Sequence, residues 1–588
     1  MKGFKDLLSH STNIVEGIPA APGIQIGTAF LYKKDILSVE TALITDVEEA
    51  LQNLDEAIAR SKKELNKIFS LAKEKMGEAR ADIFEAQLMI LDDPVLMESI
   101  KNQIRSEKRS PEYIVHKEIT KYQELMIIAN ELYMRERAID IEDIKERIIR
   151  NLQKKRLQSK VQPNRIIVSD SITPADTILF AKSSVLGYVV DHGGLTSHAA
   201  IIARSLDIPA VVGTHSGSQQ IKNEDFLIID GFQGYVFVNP TEEQINYYKN
   251  KIDNLTKINT ELIGLKDKPA ETTDGRNILI MANVDVSGEI DTVVTKGAHG
   301  IGLYRTEQII EELGSFPDEE EQYNIYNNLA SRIYPDVITI RAFDTGGDKV
   351  KLMDFKEANP FLGLRGVRFL LENEKIFRTQ IKAVLRASVN KNIQFMIPMV
   401  STLQEIKRVK EILHSCRTEL NSSKIPFDKH LKLGIMIEVP SSAVMAGEYA
   451  KHVDFISIGT NDLIQYLLAV DRGNDVVSAL YQEFHPSVIR TLHHIITETK
   501  KAGKTVSICG EMAADTLAIP LLVGMGIDVI SVSPSAIPSI KRTIRAFSMK
   551  KAKALVNQCL DSDNEEEIQN IIKKFFKENS IQRTRNII

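Results

Sequence analysis

The chain has 588 residues, 43% of them hydrophobic and 26% charged, with a formal net charge of −5. That length calls for more than one folded body, the composition is ordinary for a globular protein, and so small a charge excludes bulk attraction to nucleic acid or an anionic membrane. Cys416, Cys509 and Cys559 lie far apart with no CxxC pair, which excludes a disulfide framework and a zinc pattern and fits a reducing, cytoplasmic setting. The opening MKGFKDLLSHSTNIVEG is too polar for a signal peptide. No apolar run approaches the ~20 residues a spanning helix needs.

Residues 15–32, VEGIPAAPGIQIGTAFLY, predict short strands punctuated by Gly and Pro. From 46 to 152 the texture turns charged and helix-periodic, as in LQNLDEAIARSKKELNKIF. This predicts a helical subdomain inserted into something else. Strand-like runs return in RIIVSD, VLGYVVD, AVVG, FLIID and YVFVNP. Alternation of strands and helices makes an α/β unit, so residues 1–45 and 153–240 form one domain around the 46–152 insert.

Within that unit stands GGLTSHAAIIAR, residues 193–204. Thr196 or Ser197 is a natural N-cap for the apolar run that follows, and the glycines permit a tight turn. His198 then lies in the first turn, among free amides and partial positive charge. That setting disfavours imidazolium, keeps the ring a neutral nucleophile and welcomes a phosphate. The plain alternative is a polar residue at a helix start, with the glycines serving only the turn.

Residues 241–268 are polar and helical and read as a linker helix. The rest, 269–588, carries eight apolar runs spaced for crossover helices: ILIMANVD, GIGLYR, VITIRAFD, QFMIPMV, LGIMIEVP, FISIGTND, TVSICGEM and VISVSP. Near-continuous apolar strands joined by helices mark a parallel sheet covered on both faces. Eight of them predict a closed (β/α)8 TIM barrel rather than an open doubly wound sheet.

Barrel enzymes work at the carboxyl ends of their strands. Those ends carry Arg305, Arg341, Glu438, Asn461, Asp462 and Cys509, and Arg365 and Arg472 follow in loops. Each has an ordinary explanation alone: a surface ion pair, a loop cap, a small core thiol. As a group they make a site. Forked guanidiniums suit a phosphate or carboxylate, and Glu438 with Asp462 supplies the hard oxygens of a Mg²⁺ site. The expected ligand is a small phosphorylated acid. If an enol phosphate loses its phosphoryl group, the enolate carbon needs a proton, and a Cys509 thiol can donate one.

These stretches resemble enzyme I of the phosphoenolpyruvate-dependent sugar phosphotransferase system, nearly end to end. GGLTSHAAIIARSLDIPAVVGT is similar to that family's phosphohistidine segment, and GIGLYRTE, FDTGGDK, NPFLGLRG, GIMIEVP, FISIGTNDLIQYLLAVDRGND and ICGEMAAD resemble its barrel signatures in order. The helical insert and YMRERAIDIEDIKERIIRNL narrow the resemblance to enzyme I.

The resemblance implies a ping-pong transfer. Phosphoenolpyruvate binds the barrel with Mg²⁺, His198 takes the phosphoryl group, and pyruvate leaves after protonation by Cys509. His198 then passes the group to a histidine of the small carrier HPr, docked on the inserted helices, as the first step of sugar uptake. It further implies that Arg305, Arg341, Asn461, Asp462 and Arg472 bind substrate, with Arg365 included from its motif. Glu438 and Asp462 hold the metal, and the barrels form a homodimer. Residues 241–267 become the pivot of a swing that carries His198 between substrate and HPr. Asp82 and Glu85 are plausible edges of the HPr footprint.

Two features depart from the family. Leu195 stands where an arginine is usual, and Gln308-Ile309-Ile310 replaces FLF after RTE, which would reshape a loop beside the substrate site. A nitrogen-type regulatory phosphotransferase is the alternative, though no extra sensory domain is seen. Pyruvate phosphate dikinase or phosphoenolpyruvate synthase is a remoter one, needing a nucleotide-binding domain that does not fit in the ~200 residues before His198. A non-catalytic regulator is disfavoured by the retained His198, Cys509, Glu438 and Asp462.

Overall fold

The strand Ile24–Leu31 (β3) is the hinge of the first body's topology. The computed structural model describes residues 13–33, 39–76, 78–128, 132–155, 161–195, 197–285, 290–346, 357, 359–472, 474 and 476–581. The chain divides into two units between Leu255 and Thr256. In the first, β3 joins β1 (Ile14–Glu16), β2 (Ile18–Ala21), β4 (Arg165–Ser169), β5 (Gly187–Val190), β6 (Ala210–Val212), β7 (Phe226–Asp230) and β8 (Tyr235–Val238). Their order across the sheet is β1-β8-β7-β3-β4-β5-β6-β2. The central β3, β4, β5 and β6 run parallel, and the flanking pairs are antiparallel.

Parallel neighbours need a crossover connection. Between β3 and β4 that crossover is the helical insert: Val47–Met76, Glu78–Asp92, Pro94–Glu107, Pro111–Ile128 and Leu132–Leu152. Their apolar stripes meet in one core around Leu54, Leu65, Phe84, Ile104, Ile119 and Ile148. Asp93 shows why one turn falls where it does. Its carboxylate accepts the Val95 and Leu96 amides, Pro94 follows at the first helical position, and Lys108 ends the helix at φ 52°. Ala175, Ile178 and Ile202 join the same core, so the insert rests on the helices Pro174–Lys182 and His198–Ser205. The second of these turns Ala200 and Ala203 into the sheet's core, while Ile201 is left exposed.

The predicted linker is one helix, Glu242–Ile263, and its first half is packed rather than free. Tyr248 is fully buried, with its ring 5.2 Å from that of Phe237. Asp230, also fully buried, accepts the Tyr248 hydroxyl and the Lys251 ammonium, each at 3.1 Å, on one oxygen. Its other oxygen takes the Phe232 and Gln233 amides. Asp230→Ala would take a fully buried carboxylate from the Tyr248 hydroxyl, the Lys251 ammonium and two backbone amides. We expect it to destabilise the first unit by about 3–5 kcal/mol, read as a lowered urea midpoint for that unit while the second keeps its own.

In the second unit β9 (Leu279–Val284), β10 (Ile301–Tyr304), β11 (Ile338–Arg341), β12 (Ile393–Ile397), β13 (Lys432–Ile437), β14 (Phe455–Gly459), β15 (Thr505–Cys509) and β16 (Val529–Val532) close into a barrel in sequence order. Every neighbouring pair is parallel. Each strand coincides with one of the eight apolar runs. Their outer side chains pack under the crossover helices in the chain's largest core. Leu303, Met396, Met436, Phe455 and Cys509 form a smaller cluster, where Gly434 lets Phe455 cross: a Cβ there would stand 2.3 Å from the ring. Among the described residues no helix is long and apolar enough to cross a membrane.

Candidate functional site

At the carboxyl ends of the barrel strands lies a cavity of about 500 Å³, lined by Arg305, Arg341, Arg365, Glu438, Asn461, Asp462, Arg472 and Cys509. The structure thus brings together every site residue that the sequence marks on the barrel. It adds Asp285, Glu307, Asp344, Thr460 and Glu511, which line the same cavity and were given no role from sequence. Their signal was adjacency: Asp285 ends the first apolar run, and Glu307 and Asp344 each follow a candidate arginine in LYRTE and RAFD.

Arg341 ends β11 and is 9% exposed. Its Nη2 donates to Glu307 Oε2 at 2.9 Å, and its Nη1 lies 3.4 Å from Asp344 Oδ2. Glu307 Oε1 accepts the Asp344 amide at 2.6 Å, which fixes the turn after the strand. Burial alone would pull the guanidinium's pKa down, but Glu307, Asp344 and Glu438 outweigh it and hold the group charged. Its Nε is buried with no hydrogen-bond partner.

Arg365 is committed on all sides. Its Nε and Nη2 donate to the two Asp344 oxygens at 3.0 and 2.9 Å. Its Nη1 and Nη2 reach the two Asp462 oxygens at 3.3 and 3.1 Å, and Nη1 also meets the Tyr466 hydroxyl at 3.2 Å. The other arginines are freer. Arg305 pairs with Asp285 at 2.7 Å, while Arg472 stands 3.9 Å from Glu511 and is half-exposed. Asn461 Oδ1 accepts the Glu511 amide at 2.8 Å.

Glu438 is 1% exposed at the end of β13. Its Oε1 accepts the Met399 amide at 2.6 Å. Burial, then the nearby Asp344 and Asp462 carboxylates, push its pKa well above the usual carboxylate range. Buried carboxylates that repel one another suit a hard divalent cation, which favours oxygen ligands. Among the described residues no cluster of three or more His, Cys, Asp or Glu side chains forms a ready cage.

Cys509 closes β15 with 3% exposure. Its Sγ donates to the Ile458 carbonyl at 3.5 Å, and the Ser457 hydroxyl approaches Sγ at 3.8 Å. Burial pushes the thiol's pKa up despite the Ser457 contact and nearby Arg305 and Arg341. Thr460 Oγ1 donates to the Cys509 carbonyl at 2.9 Å. Gly510 follows at φ +101°, where a Cβ would sit 2.3 Å from that same Thr460 oxygen, so the turn admits only glycine.

The stretch Gln308-Ile309-Ile310, expected as a loop, is helical. It belongs to Glu307–Leu313, which Gly314 ends at φ 66°. Ile309 is buried, which draws the turn into the core, and Gln308 lines the cavity.

On the first unit, His198 opens the helix His198–Ser205 as expected, and the N-cap is Ser197, whose Oγ accepts the Ala200 amide at 3.4 Å. Thr196 and the side chain of His198 lie outside the described residues, as does that of Asp82. Gly193 turns at φ +127°. Arg204 spans the loop by donating to the Leu195 carbonyl. Below it, Asp191 accepts the Thr214 hydroxyl at 2.6 Å and the Ser218 hydroxyl at 2.6 Å. Burial raises the Asp191 pKa, but these bonds and the Ser218 amide outweigh it and hold the carboxyl below its ordinary value. Leu195 is 51% and Ile201 42% exposed, so apolar surface flanks the histidine on both sides in sequence. Glu85 is exposed on the insert.

Three family models match in order: the PEP-utilising enzyme N-terminal region over residues 16–137, its mobile domain over 161–234 and its PEP-binding domain over 259–549, PEP being phosphoenolpyruvate. A phosphoenolpyruvate-protein phosphotransferase of Mycoplasma capricolum is 37% identical across 95% of this chain and 98% of that protein. The one from Bacillus subtilis is 38% identical across 96% of this chain and 100% of its own. A solution structure of an enzyme I covers 41% of this chain and 99% of its own at 39% identity, with a TM-score of 0.38.

Proposed function

This chain belongs to the phosphoenolpyruvate-protein phosphotransferases, within the PEP-utilising enzymes, and we propose that it carries the phosphoryl group on His198 between the barrel site and a carrier protein. The enzyme transfers phosphoryl groups from phosphoenolpyruvate. The reading is carried by one observation: four arginines, an asparagine, a cysteine and seven carboxylates, Glu438 and Asp462 among them, converge on one cavity at the barrel's carboxyl rim.

Arg305, Arg341 and Arg472 hold the donor's phosphate and carboxylate, and Asn461 adds an amide contact. His198 attacks phosphorus in line. The P–O bond breaks, the enol oxygen keeps the electron pair, and Cys509 gives its proton to the enolate carbon, so pyruvate leaves. Glu438 and Asp462 would hold Mg²⁺, which when bound steadies charge on the phosphate and the developing enolate.

His198 then meets the carrier, which we take to be HPr docked on the 46–152 insert, whose core also anchors the histidine's helix through Ile202. We place the pivot for that travel within 256–260. Before it, Tyr248 and Lys251 are tied to Asp230. After it, Glu261 pairs with Arg542 at 3.3 Å and the Lys266 carbonyl accepts Lys541 at 2.6 Å. Domains at 1–45 with 153–240, 46–152, and 269–588, a homodimer through the barrels, a cytoplasmic setting and a role in sugar uptake complete the proposal.

The deciding experiment incubates the protein with Mg²⁺ and ³²P-labelled phosphoenolpyruvate. We expect acid-labile label on a single peptide containing His198, and one pyruvate per label. Label confined to another residue, or pyruvate released without label, overturns the reading.

A further inference from the structure

The five N–H donors of a guanidinium are all spent in Arg365: on both oxygens of Asp344, both oxygens of Asp462 and the Tyr466 hydroxyl. The fork is pinned from behind as well. The backbone of Arg365 pairs with that of Gly346 in an isolated bridge, and the Phe361 ring lies 5.7 Å from the guanidinium carbon. Asp462 is one of the two carboxylates assigned above to the divalent cation. The arginine and the ion therefore claim the same oxygens. Two cations on one buried carboxylate weaken each other's hold, because each lowers the charge the other meets.

We propose that Arg365 is a competing counter-ion for the metal carboxylates, and that its release from Asp462 couples cation binding to phosphate binding. A divalent cation that takes Asp462 turns two or three guanidinium donors loose, at the wall of a cavity already lined by Arg341 and Arg305. Those donors then have an anion to bind. Conversely, a phosphate or carboxylate that captures Arg365 uncovers Asp462 for the cation. Each ligand tightens the other, and each binds weakly alone. Asp344 keeps the guanidinium close throughout, because its bonds to Nε and Nη2 need not break. This rests on the placement of the cation at Glu438 and Asp462.

Removing any cation beside these carboxylates raises Mn²⁺ affinity somewhat, so the distinctive sign is that of a charge-conserving change. An arginine with no hold on Asp462 leaves Mn²⁺ affinity unmoved by Tyr466→Phe. A competing counter-ion, loosened by that change, lets it rise. Mn²⁺ binding is followed by electron paramagnetic resonance on the full-length protein, with and without 2-phosphoglycolate, a phosphorylated acid with no enol to release. We expect Arg365→Gln to bind Mn²⁺ alone more tightly by roughly 5- to 150-fold, the usual range of coupling between sites. In the same variant we expect 2-phosphoglycolate to sharpen Mn²⁺ binding less than in the unaltered protein, keeping only the part due to its own oxygens on the ion.

Tyr466→Phe guards against a variant that does not fold. It removes a hydroxyl that contacts Arg365 and the Phe361 carbonyl without altering charge, and it should move Mn²⁺ affinity in the same direction by less. Unchanged or weaker Mn²⁺ binding in Tyr466→Phe, or in a folded Arg365→Gln, overturns the proposal. Glu438→Gln and Asp462→Asn separate the two layers. If both bind Mn²⁺ as the unaltered protein does, the metal placement is wrong, and the coupling falls with it. If both lose Mn²⁺ while Arg365→Gln gains none, the placement stands and only the competition is wrong.

Discussion

His198→Ala is expected to abolish phosphoryl acceptance while leaving phosphoenolpyruvate binding within about threefold of the unaltered value, since the barrel keeps every contact of its own. The two halves of this result come from different parts of the chain. The cavity's lining runs from Asp285 to Glu511, all in the second unit, so its arginines keep their fork geometry. The proposed nucleophile, His198, belongs to the first unit. Alanine is the best helix former, and Ser197 still caps the helix, so the replacement leaves the local backbone intact. Removing a covalent nucleophile elsewhere costs on the order of 10⁶ in rate, and here the neighbouring Thr196 and Ser197 hydroxyls are not expected to replace an imidazole. Intact-mass spectrometry reads the missing phosphoryl group, and calorimetry reads the retained binding. Label that persists on the alanine variant would remove the histidine from the mechanism.

Much of this site could be read before any coordinates. Eight apolar runs became eight strands because a parallel strand covered on both faces has no solvent side, and so leaves an unbroken apolar signature. Their last residues then fell on one rim by topology alone, which is why Arg341, Glu438 and Cys509 met. What stayed hidden was pairing across distance. Asp344 and Glu307 look like surface acids in sequence, yet both are buried against Arg341, and only the β10–β11 neighbourhood shows why. Arg365 reaches Asp462 across 97 residues, a contact no local pattern encodes.

The order of the first sheet was equally invisible. Strands adjacent in sequence, β1 and β2, ended at opposite edges. The polar helix Glu242–Ile263 reads as a linker helix because its few aromatic residues are outnumbered, although Tyr248 and Lys251 tie it to Asp230 and Ile245, Ile252 and Leu255 pack beside Tyr248. Gln308-Ile309-Ile310 was misread for a related reason. A short helix of mixed composition has too few turns to show a period, and it was the burial of Ile309 that settled its form.

Cys509→Ala should lower kcat by about 10²–10⁴-fold, the usual contribution of a positioned general acid, with KM little changed. The substrate's charges are held by arginines that the substitution does not touch. Losing one sulfur from the small cluster with Leu303, Met396, Met436 and Phe455 leaves the barrel folded. What is lost is the proton. Once the P–O bond has broken, an enolate that cannot be protonated returns its electron pair to phosphorus, and phosphohistidine reverts. Burial raises the thiol's pKa, so the acid form persists through neutral pH and above the ordinary thiol value of about 8.5. The pH dependence has a definite sign. Turnover in the unaltered enzyme falls as pH rises through that elevated value, because the thiolate has no proton to give, and this limb disappears in the alanine variant, whose residual rate depends on water. Stopped-flow pyruvate release across pH 6–10 checks both points, and an alanine variant with unaltered kcat and the same alkaline limb would assign the proton to another group.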